Sequence, residues 1–347
     1  MIPPFRRGSG GHSTIVRLMR ELTRLGHPVS LWLDDFDGSA AGDPPAVLQR
    51  NFADFFGAAD LPLRVGFDGW TGADVVLATG WQTVSRVLLL PGARARAYLV
   101  QDHEPDFYGP SAEALFAQQT YEQGLHCIAA SPWLAGLLRD RYGAEASHFD
   151  LGVDHSVHHP ADPPAGAGRR DDLVVFYARV ATPRRAVPLG LLALEELARR
   201  RPQLEIALFG NEWPVPVSFA HASLGVVESA TLAELYSRAT VGMVFSLTNP
   251  SLIGLEMMAA GLPCVELASE PMLATFGADG PLQLADPDPL AVCGALERLL
   301  DDRALRERIT QDGIALTESR TWSRAAAQVQ DGLRIASTRQ KAGRAST

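Results

Sequence analysis

Short apolar runs alternate with longer amphipathic stretches through most of the chain. Residues 29–33, 74–78 (DVVLA), 95–100 (ARAYLV) and 126–130 (HCIAA) are near-continuous apolar runs of strand length. Residues 14–25 and 112–124 carry their apolar positions at helical spacing. Apolar runs without polar alternation predict strands buried on both faces, and their alternation with helices predicts a parallel sheet covered on each side. Residues 154–172 (DHSVHHPADPPAGAGRRDD) break the pattern with proline, glycine and charge, and read as a linker. A second series then begins, with strands expected at 173–177, 205–209, 241–245 and 263–267. The last 45 or so residues read as helical and end in a charged, low-complexity tail, STRQKAGRAST. The fold class is therefore α/β, with two Rossmann-like halves and an expected cleft between them, a common place for ligands. A doubly wound domain normally opens with a full strand before its glycine loop. Only residues 1–5 precede the loop here, so the first strand is expected to be clipped.

The 347 residues are enough for two such domains. A net charge of −9 argues against a nucleic-acid partner. Cys127, Cys264 and Cys293 are odd in number and far apart, which suits neither a disulfide framework nor a zinc site. No apolar run approaches the roughly 18 residues of a membrane span, and MIPPFRRGSGG is no signal peptide. A cytoplasmic protein is expected.

The most informative stretch is residues 245–262, FSLTNPSLIGLEMMAAGL. A strand ending at Phe245 is followed by Asn249-Pro250, read as helix N-cap and first helical residue. The amides of Ser251 and Leu252 would then open from a helix N-terminus at the carboxyl edge of the sheet, an anion site. Glu256, one turn on, could accept hydrogen bonds from a ribose. The plainer alternative is a simple cap at Asn249 and a solvated Glu256. A second element, YARVATPRR, places Arg179 at the tip of the strand ending at Tyr177, with Arg184 and Arg185 just after. Neighbouring cations repel unless an anion lies between them, and arginine grips phosphate oxygens in bidentate fashion.

In the first half, GSGGHST (8–14) lets the backbone approach a ligand at Gly10 and Gly11, and His12 could bond to it. The dinucleotide fingerprint fails, because Ser13 stands where glycine or alanine is needed. The alternative is a capping loop with Ser13 or Thr14 as the cap. VQDHEPDFYG (100–109) is a dense polar cluster directly after a strand, where α/β proteins place chemistry. Thr79 and Trp81 follow the preceding strand, and are expected with His12 and His103 on the acceptor side. His126 and Cys127 read as packed in a strand. His148, His155, His158 and His159 lie in or near the linker and read as solvated. Arg17, Arg20 and Arg24 on the first helix form either a solvated face or a contact for an anionic membrane surface.

In combination these residues resemble family 4 glycosyltransferases of the GT-B fold. There, an Arg and a Lys five residues apart hold a diphosphate, a spacing kept by Arg179 and Arg184. The family's Glu-x7-Glu segment maps onto residues 248–263, with Glu256 as the second glutamate and Thr248 in place of the first, which usually contacts the sugar. Ser251 and Leu252 match the Gly-Leu pair whose amides meet phosphate. The FGNEW strand end (Gly210) and LGVV (with Gly225 and Val226) follow in the family's order, and Leu224 to Val226 would frame the base. GGHSTI, VQDHEPDFY, SPWL, LGVD and SLTNPSL…LEMMAAGLP together resemble bacterial rhamnosyltransferases of the WsaF type.

The resemblance implies an acceptor-side domain over residues 1–156, a donor domain over 157–320, and a closing helix over 321–347 anchored by Trp322. It implies a retaining transfer of L-rhamnose from dTDP-β-L-rhamnose to a surface-polysaccharide or lipid-linked glycan acceptor. Asp102 or Glu104 would bind the acceptor or face the anomeric carbon, and Asn249 would join the donor site. The family uses no cofactor and no metal, and the DxD-like runs 34–37 (DDFD) and 286–289 (DPDP) read as loops. Two other readings stay open: a GT-B sugar-nucleotide epimerase, and a non-catalytic nucleotide-sugar binder, which the loss of the first glutamate at Thr248 makes thinkable.

Overall fold

The computed structural model describes residues 1–161 and 173–345, which form two compact units. One comprises Met1–Gly152 and the chain from Trp322 on, and the other comprises Val153–Thr321. The divisions thus fall a few residues from the expected 156/157 and 320/321.

The first unit runs α1 (Gly10–Arg24), β1 (Leu31–Leu33), α2 (Pro45–Phe56), β2 (Leu63–Val65), β3 (Ala73–Ala78), α3 (Trp81–Leu89), β4 (Ala93–Val100), α4 (Ala112–Thr120), β5 (His126–Ala129), α5 (Pro132–Tyr142) and β6 (Ala146–His148). Strands β3-β4-β5-β6 form one parallel sheet and β1-β2 a second. The N-terminal residues tie the two together. Ile2 pairs in parallel with Leu33, and the Met1 amine donates to the Leu77 carbonyl at 2.9 Å. In place of a full first strand, residues 1–5 supply a single bridge, standing where a Rossmann sheet has that strand. Tyr98, Val100, Tyr121, Cys127 and Leu134 are buried in this unit's core. His126 also packs in β5 and bonds Ser147, as its strand position predicts.

The second unit runs β7 (Leu173–Tyr177), α6 (Val187–Arg200), β8 (Glu205–Phe209), β9 (Ala222–Ser223), α7 (Ser229–Arg238), β10 (Val241–Met243), α8 (Leu252–Ala259), β11 (Cys264–Leu267), α9 (Glu270–Phe276), β12 (Gln283–Ala285), α10 (Pro289–Asp301) and α11 (Arg303–Glu318). All its strands pair in parallel, in the order β12-β11-β10-β7-β8-β9. The first strand of the series, β7, lies mid-sheet, and the chain builds outward from it in one direction and then the other. The order therefore reverses between β7 and β10, where doubly wound folds leave a crevice at the carboxyl ends of the strands.

Close packing of α6 on this sheet depends on Gly190, where an added Cβ would come within 2.4 Å of the Phe176 ring. Burying rings such as Phe176 and Phe245 contributes about 2–3 kcal/mol each. The closing helix α12 (Trp322–Ala345) returns to the first unit and packs on α1, β4 and β5. Gly332 lets it approach the Ile128 side chain, and Arg17 stacks over Trp322 at 5.6 Å. The cation expected to face solvent or a membrane is therefore partly spent on packing.

Two expectations about irregular segments are corrected. Residues 154–161 are no free linker: Val153 pairs with Thr321, His155 Nε2 lies 3.0 Å from the Thr317 carbonyl, and His158 is buried. The rest of the expected linker, 162–172, lies outside the described residues. The expected tail continues as helix to Ala345, with residues 346 and 347 outside the described ones. No helix among the described residues is long and apolar enough to cross a membrane.

Candidate functional site

At the reversal point of the second unit, two loops meet and are tied together. β7 ends at Tyr177, and its sequel is pinned to the end of β8: Ala178 N–H donates to the Phe209 carbonyl at 2.8 Å. Asn211 clamps the same stretch, its Oδ1 accepting from Val180 N–H at 2.8 Å while its amide donates to the Ala178 carbonyl. Gly210 permits this approach. Its φ of +102° suits only glycine, and a Cβ there would meet the Tyr177 ring at 2.6 Å. Arg179 therefore stands on a braced strand end. The chain then makes a tight turn over Pro183–Arg185, closed by Ala186 at φ +43°, the one non-glycine with positive φ among the described residues. Backbone held in this region at a functional loop marks a conformation imposed by its surroundings.

The second loop, 244–251, joins β10 to α8. Leu247 N–H donates to the Arg184 carbonyl at 3.0 Å, so the arginine turn and this loop form one frame. Arg185, read from sequence as a third phosphate cation, is instead the brace of that frame. Its guanidinium bonds the Phe245 carbonyl at 3.2 Å and the Ser246 hydroxyl. Beneath it, the buried Glu266 on β11 accepts from Ser246 N–H and Leu267 N–H, both at 2.9 Å. Burial pushes the Glu266 carboxyl up to about 8, against the lowering effect of these amides and of Arg185. A lone glutamate within the apolar run CVEL was the available sign of this group.

The helix start is also corrected. Ser251, not Asn249, is the N-cap of α8: its Oγ accepts from Ile253 N–H at 3.3 Å, and Leu252 is the first helical residue. Pro250 thus precedes the cap. Both Asn249 and Ser251 satisfy the local capping rule, and the tie at Leu247 leaves the longer extended approach. The first amides of α8 still open at the carboxyl edge of the sheet, the positive end of a helix dipole. Thr248, Asn249 and Ser251 are all buried beside them, and Thr248 Oγ1 has no hydrogen-bond partner. A buried hydroxyl without a partner carries a desolvation penalty that a ligand can relieve. Glu256 follows one turn into α8, with its side chain 13% exposed. Gly225 has φ +72° and accepts at its carbonyl from Gly210 N–H, beside the half-exposed Leu224 and Val226. The structure thus gathers Arg179, Arg184, Gly210, Gly225, Val226, Thr248, Asn249, Ser251, Leu252 and Glu256 on the strand-end loops and helix start of one unit.

The expected residues of the first unit also lie on its strand-end loops, but several are committed to the fold. Glu104 is buried, and its Oε2 accepts from Trp81 N–H at 2.6 Å and from the Tyr98 hydroxyl at 2.5 Å. It caps α3 from outside, at a helix start whose own cap position, Gly80, has no side chain to offer. Expected near the reacting carbon, Glu104 is a clamp between two loops. Burial, reinforced by the Glu104 charge, raises Tyr98 well above the ordinary tyrosine range.

His103 is equally engaged, with Nδ1 2.7 Å from Asp106, Nε2 2.7 Å from the Tyr142 hydroxyl, and its ring stacked on Tyr121. His12 has Nδ1 2.8 Å from the Ser9 hydroxyl and Nε2 3.2 Å from the Pro3 carbonyl. Burial lowers it to about 4, so it is a neutral tie for the loop before α1. Thr79 bonds the Met1 carbonyl at 2.7 Å, and the Trp81 indole bonds Tyr108 at 3.1 Å. Asp102 is buried and accepts from His103 N–H at 3.0 Å. Gly10 and Gly11 open α1 itself, whose cap position is Ser9; the proposed caps Ser13 and Thr14 lie inside the helix.

The DxD-like runs serve turns and caps, Asp288 accepting from Leu290 and Ala291 N–H and Asp35 from Ala40 N–H. Among the described residues, no group of three or more His, Cys, Asp or Glu is placed to hold a metal ion.

Comparison with known proteins places this geometry. Residues 172–292, most of the strand-end frame, match the family model described as WsaF, C-terminal domain. The chain is 33% identical over 268 residues to the O-antigen biosynthesis protein RfbC of Myxococcus xanthus. That alignment covers 75% of this chain and 20% of RfbC, so the chain spans about a fifth of its curated relative. Among solved structures, Anabaena HepE in complex with UDP-glucose superposes with a TM-score of 0.73 at 13% identity, covering 96% of this chain and 98% of that one. Sucrose-phosphate synthase from Thermosynechococcus elongatus gives 0.68 at 17% identity, covering 92% and 91%. The fold is GT-B, built of two Rossmann-like α/β units.

Proposed function

We propose that this chain is a glycosyltransferase of polysaccharide biosynthesis that holds a nucleoside-diphosphate sugar at the reversal point of its second unit. The observation that carries the reading is the single frame joining the Arg179–Arg184 turn to the start of α8 through Leu247 N–H and the Arg184 carbonyl. Arginines and the amides of Ser251 and Leu252 then serve one diphosphate, and Glu256 serves the nucleoside sugar. As the bond between sugar C1 and the leaving oxygen breaks, negative charge grows on the diphosphate. Fixed cations and amide dipoles stabilise that charge without reorganising, which lowers the barrier. In a retaining transfer the leaving diphosphate itself takes the acceptor proton, so no protein base is needed.

The donor we assign is dTDP-β-L-rhamnose and the acceptor a surface or lipid-linked glycan. The match to the WsaF C-terminal domain and the likeness to a protein named for O-antigen biosynthesis support this choice. Asp102 is the acceptor-side carboxylate on the first unit, while Glu104, held by Trp81 N–H and the Tyr98 hydroxyl, clamps the loop that follows it.

Thermal shift against dTDP, UDP, GDP and their sugars tests the donor site, since a ligand of the native state raises Tm by mass action. The largest shift is expected with dTDP-rhamnose. A preference for UDP or GDP removes the rhamnosyl assignment, and no shift with any of them removes the donor site. Thr248, in place of a glutamate, favours one second reading, a non-catalytic nucleotide-sugar binder. Donor binding without turnover on any glycan acceptor would establish that alternative.

A further inference from the structure

A buried cluster beneath α8 was not visible in the sequence. His158 sits in the turn by which the chain enters the second unit, with its N–H donating to the Asp154 carbonyl at 2.8 Å. Its side chain is fully buried, and Nε2 lies 2.9 Å from Ser229 Oγ and 3.7 Å from Glu256 Oε1. Its ring lies against Tyr236, with centroids 6.0 Å apart. Ser229 and Tyr236 are seven residues apart on α7, two turns, and so share a helix face. The Tyr236 hydroxyl is buried without a hydrogen-bond partner, and its titration is raised by burial and then by the Glu256 charge. Glu256 therefore lies beside an imidazole that α7 holds through the Ser229 hydroxyl and the Tyr236 ring.

A carboxylate serving only as a solvated surface charge would need none of this. Partial burial of a charge is costly unless a polar group faces it, and the His158 imidazole, 3.7 Å from the carboxylate and itself held by Ser229, is such a group. A glutamate that must accept hydrogen bonds from a ligand gains from such support, because a side chain locked by its neighbours loses less freedom on binding.

We infer that His158 is a positioning residue that sets the Glu256 carboxylate to accept hydrogen bonds from the hydroxyls of a nucleoside sugar. The inference rests on the reading of Glu256 as the nucleoside contact of the donor site. Its ligand class is a nucleoside diphosphate, and inorganic pyrophosphate, which lacks the sugar, bypasses the residue.

The test is calorimetric titration of the full chain with UDP, dTDP and inorganic pyrophosphate. His158→Leu should weaken both nucleotides about tenfold while pyrophosphate binding stays within a factor of two. His158→Gln, whose amide N–H can stand where Nε2 does, should restore most of the loss. Combining His158→Leu with Glu256→Gln should cost little beyond Glu256→Gln alone, because the two act through one contact. Ser229→Ala, a smaller change, provides the measurement if His158→Leu does not fold, and should show the same nucleotide-selective loss in weaker form. Equal loss for pyrophosphate and nucleotides, no rescue by glutamine, or additive losses would each overturn the inference. A wild-type chain that binds pyrophosphate but neither nucleotide removes the donor reading and the inference with it. Tight wild-type nucleotide binding with indifferent variants removes only the role of His158.

Discussion

Glu266 allows the frame of the candidate site to be tested by pH alone. The carboxyl is buried under Ser246, and burial pushes it up to about 8 from an ordinary 4.5. That gap corresponds to roughly 5 kcal/mol between protonation states, an upper bound because local opening hydrates the group before the unit unfolds. The folded state holds this proton more tightly than the unfolded chain does. Its stabilising contribution is therefore complete below about pH 4.5 and is lost as pH rises through about 8. Glu266→Gln keeps an oxygen to accept from Ser246 N–H and Leu267 N–H and removes the titration. Hydrogen exchange of peptides spanning β10 and β11, compared between variant and wild type at equal pH, cancels the intrinsic exchange rate. Near pH 5 the two should be protected alike. Near pH 8.5 the glutamine variant should exchange about 10 to 1,000 times more slowly, each kcal/mol counting for roughly a factor of five. A ratio that stays constant between the two pH values would refute the buried neutral acid, and with it the account of how this loop is held.

The remaining predictions concern the same unit. Arg179→Ala or Arg184→Ala should weaken dTDP by about 2 kcal/mol and leave thymidine nearly untouched in calorimetry, since only the diphosphate loses a charge-assisted partner; equal loss for both ligands would mean the diphosphate site is misplaced. Gly190→Ala should destabilise the unit by about 1–3 kcal/mol through collision with Phe176 and Phe245, read by denaturant midpoint. Ala186→Gly should leave stability unchanged or raise it by up to about 1 kcal/mol, as relief of the strained φ offsets added chain freedom. Ala193→Gly, in the middle of α6, should cost about 1 kcal/mol or more by the same denaturant midpoint.

The strands were legible because buried parallel strands are near-continuous apolar runs, and such runs announce themselves without any partner. Leu173–Tyr177 and Glu205–Phe209 match residue for residue. The loop chemistry was legible where it is local in sequence, as with Arg179, Arg184 and the segment from Thr248 to Glu256. Cap choice was less so, because Asn249 and Ser251 obey the same rule and the tie between Leu247 and Arg184 reaches across 63 residues. The roles of individual polar groups needed the tertiary structure. Glu104 looked like a catalytic carboxylate until Trp81 and Tyr98 were seen to occupy it. Arg185 looked like its neighbour Arg184 until its guanidinium was found on Phe245 and Ser246. His158 looked solvated because Glu256 and Ser229, its partners, lie 98 and 71 residues away. Sequence by itself determined the two α/β series and the phosphate-binding chemistry of one strand edge, because apolar period and helix-start composition are local. Only the tertiary structure decided which charges face a ligand and which brace the fold, because a polar group's task is set by whatever distant group is brought within hydrogen-bonding reach.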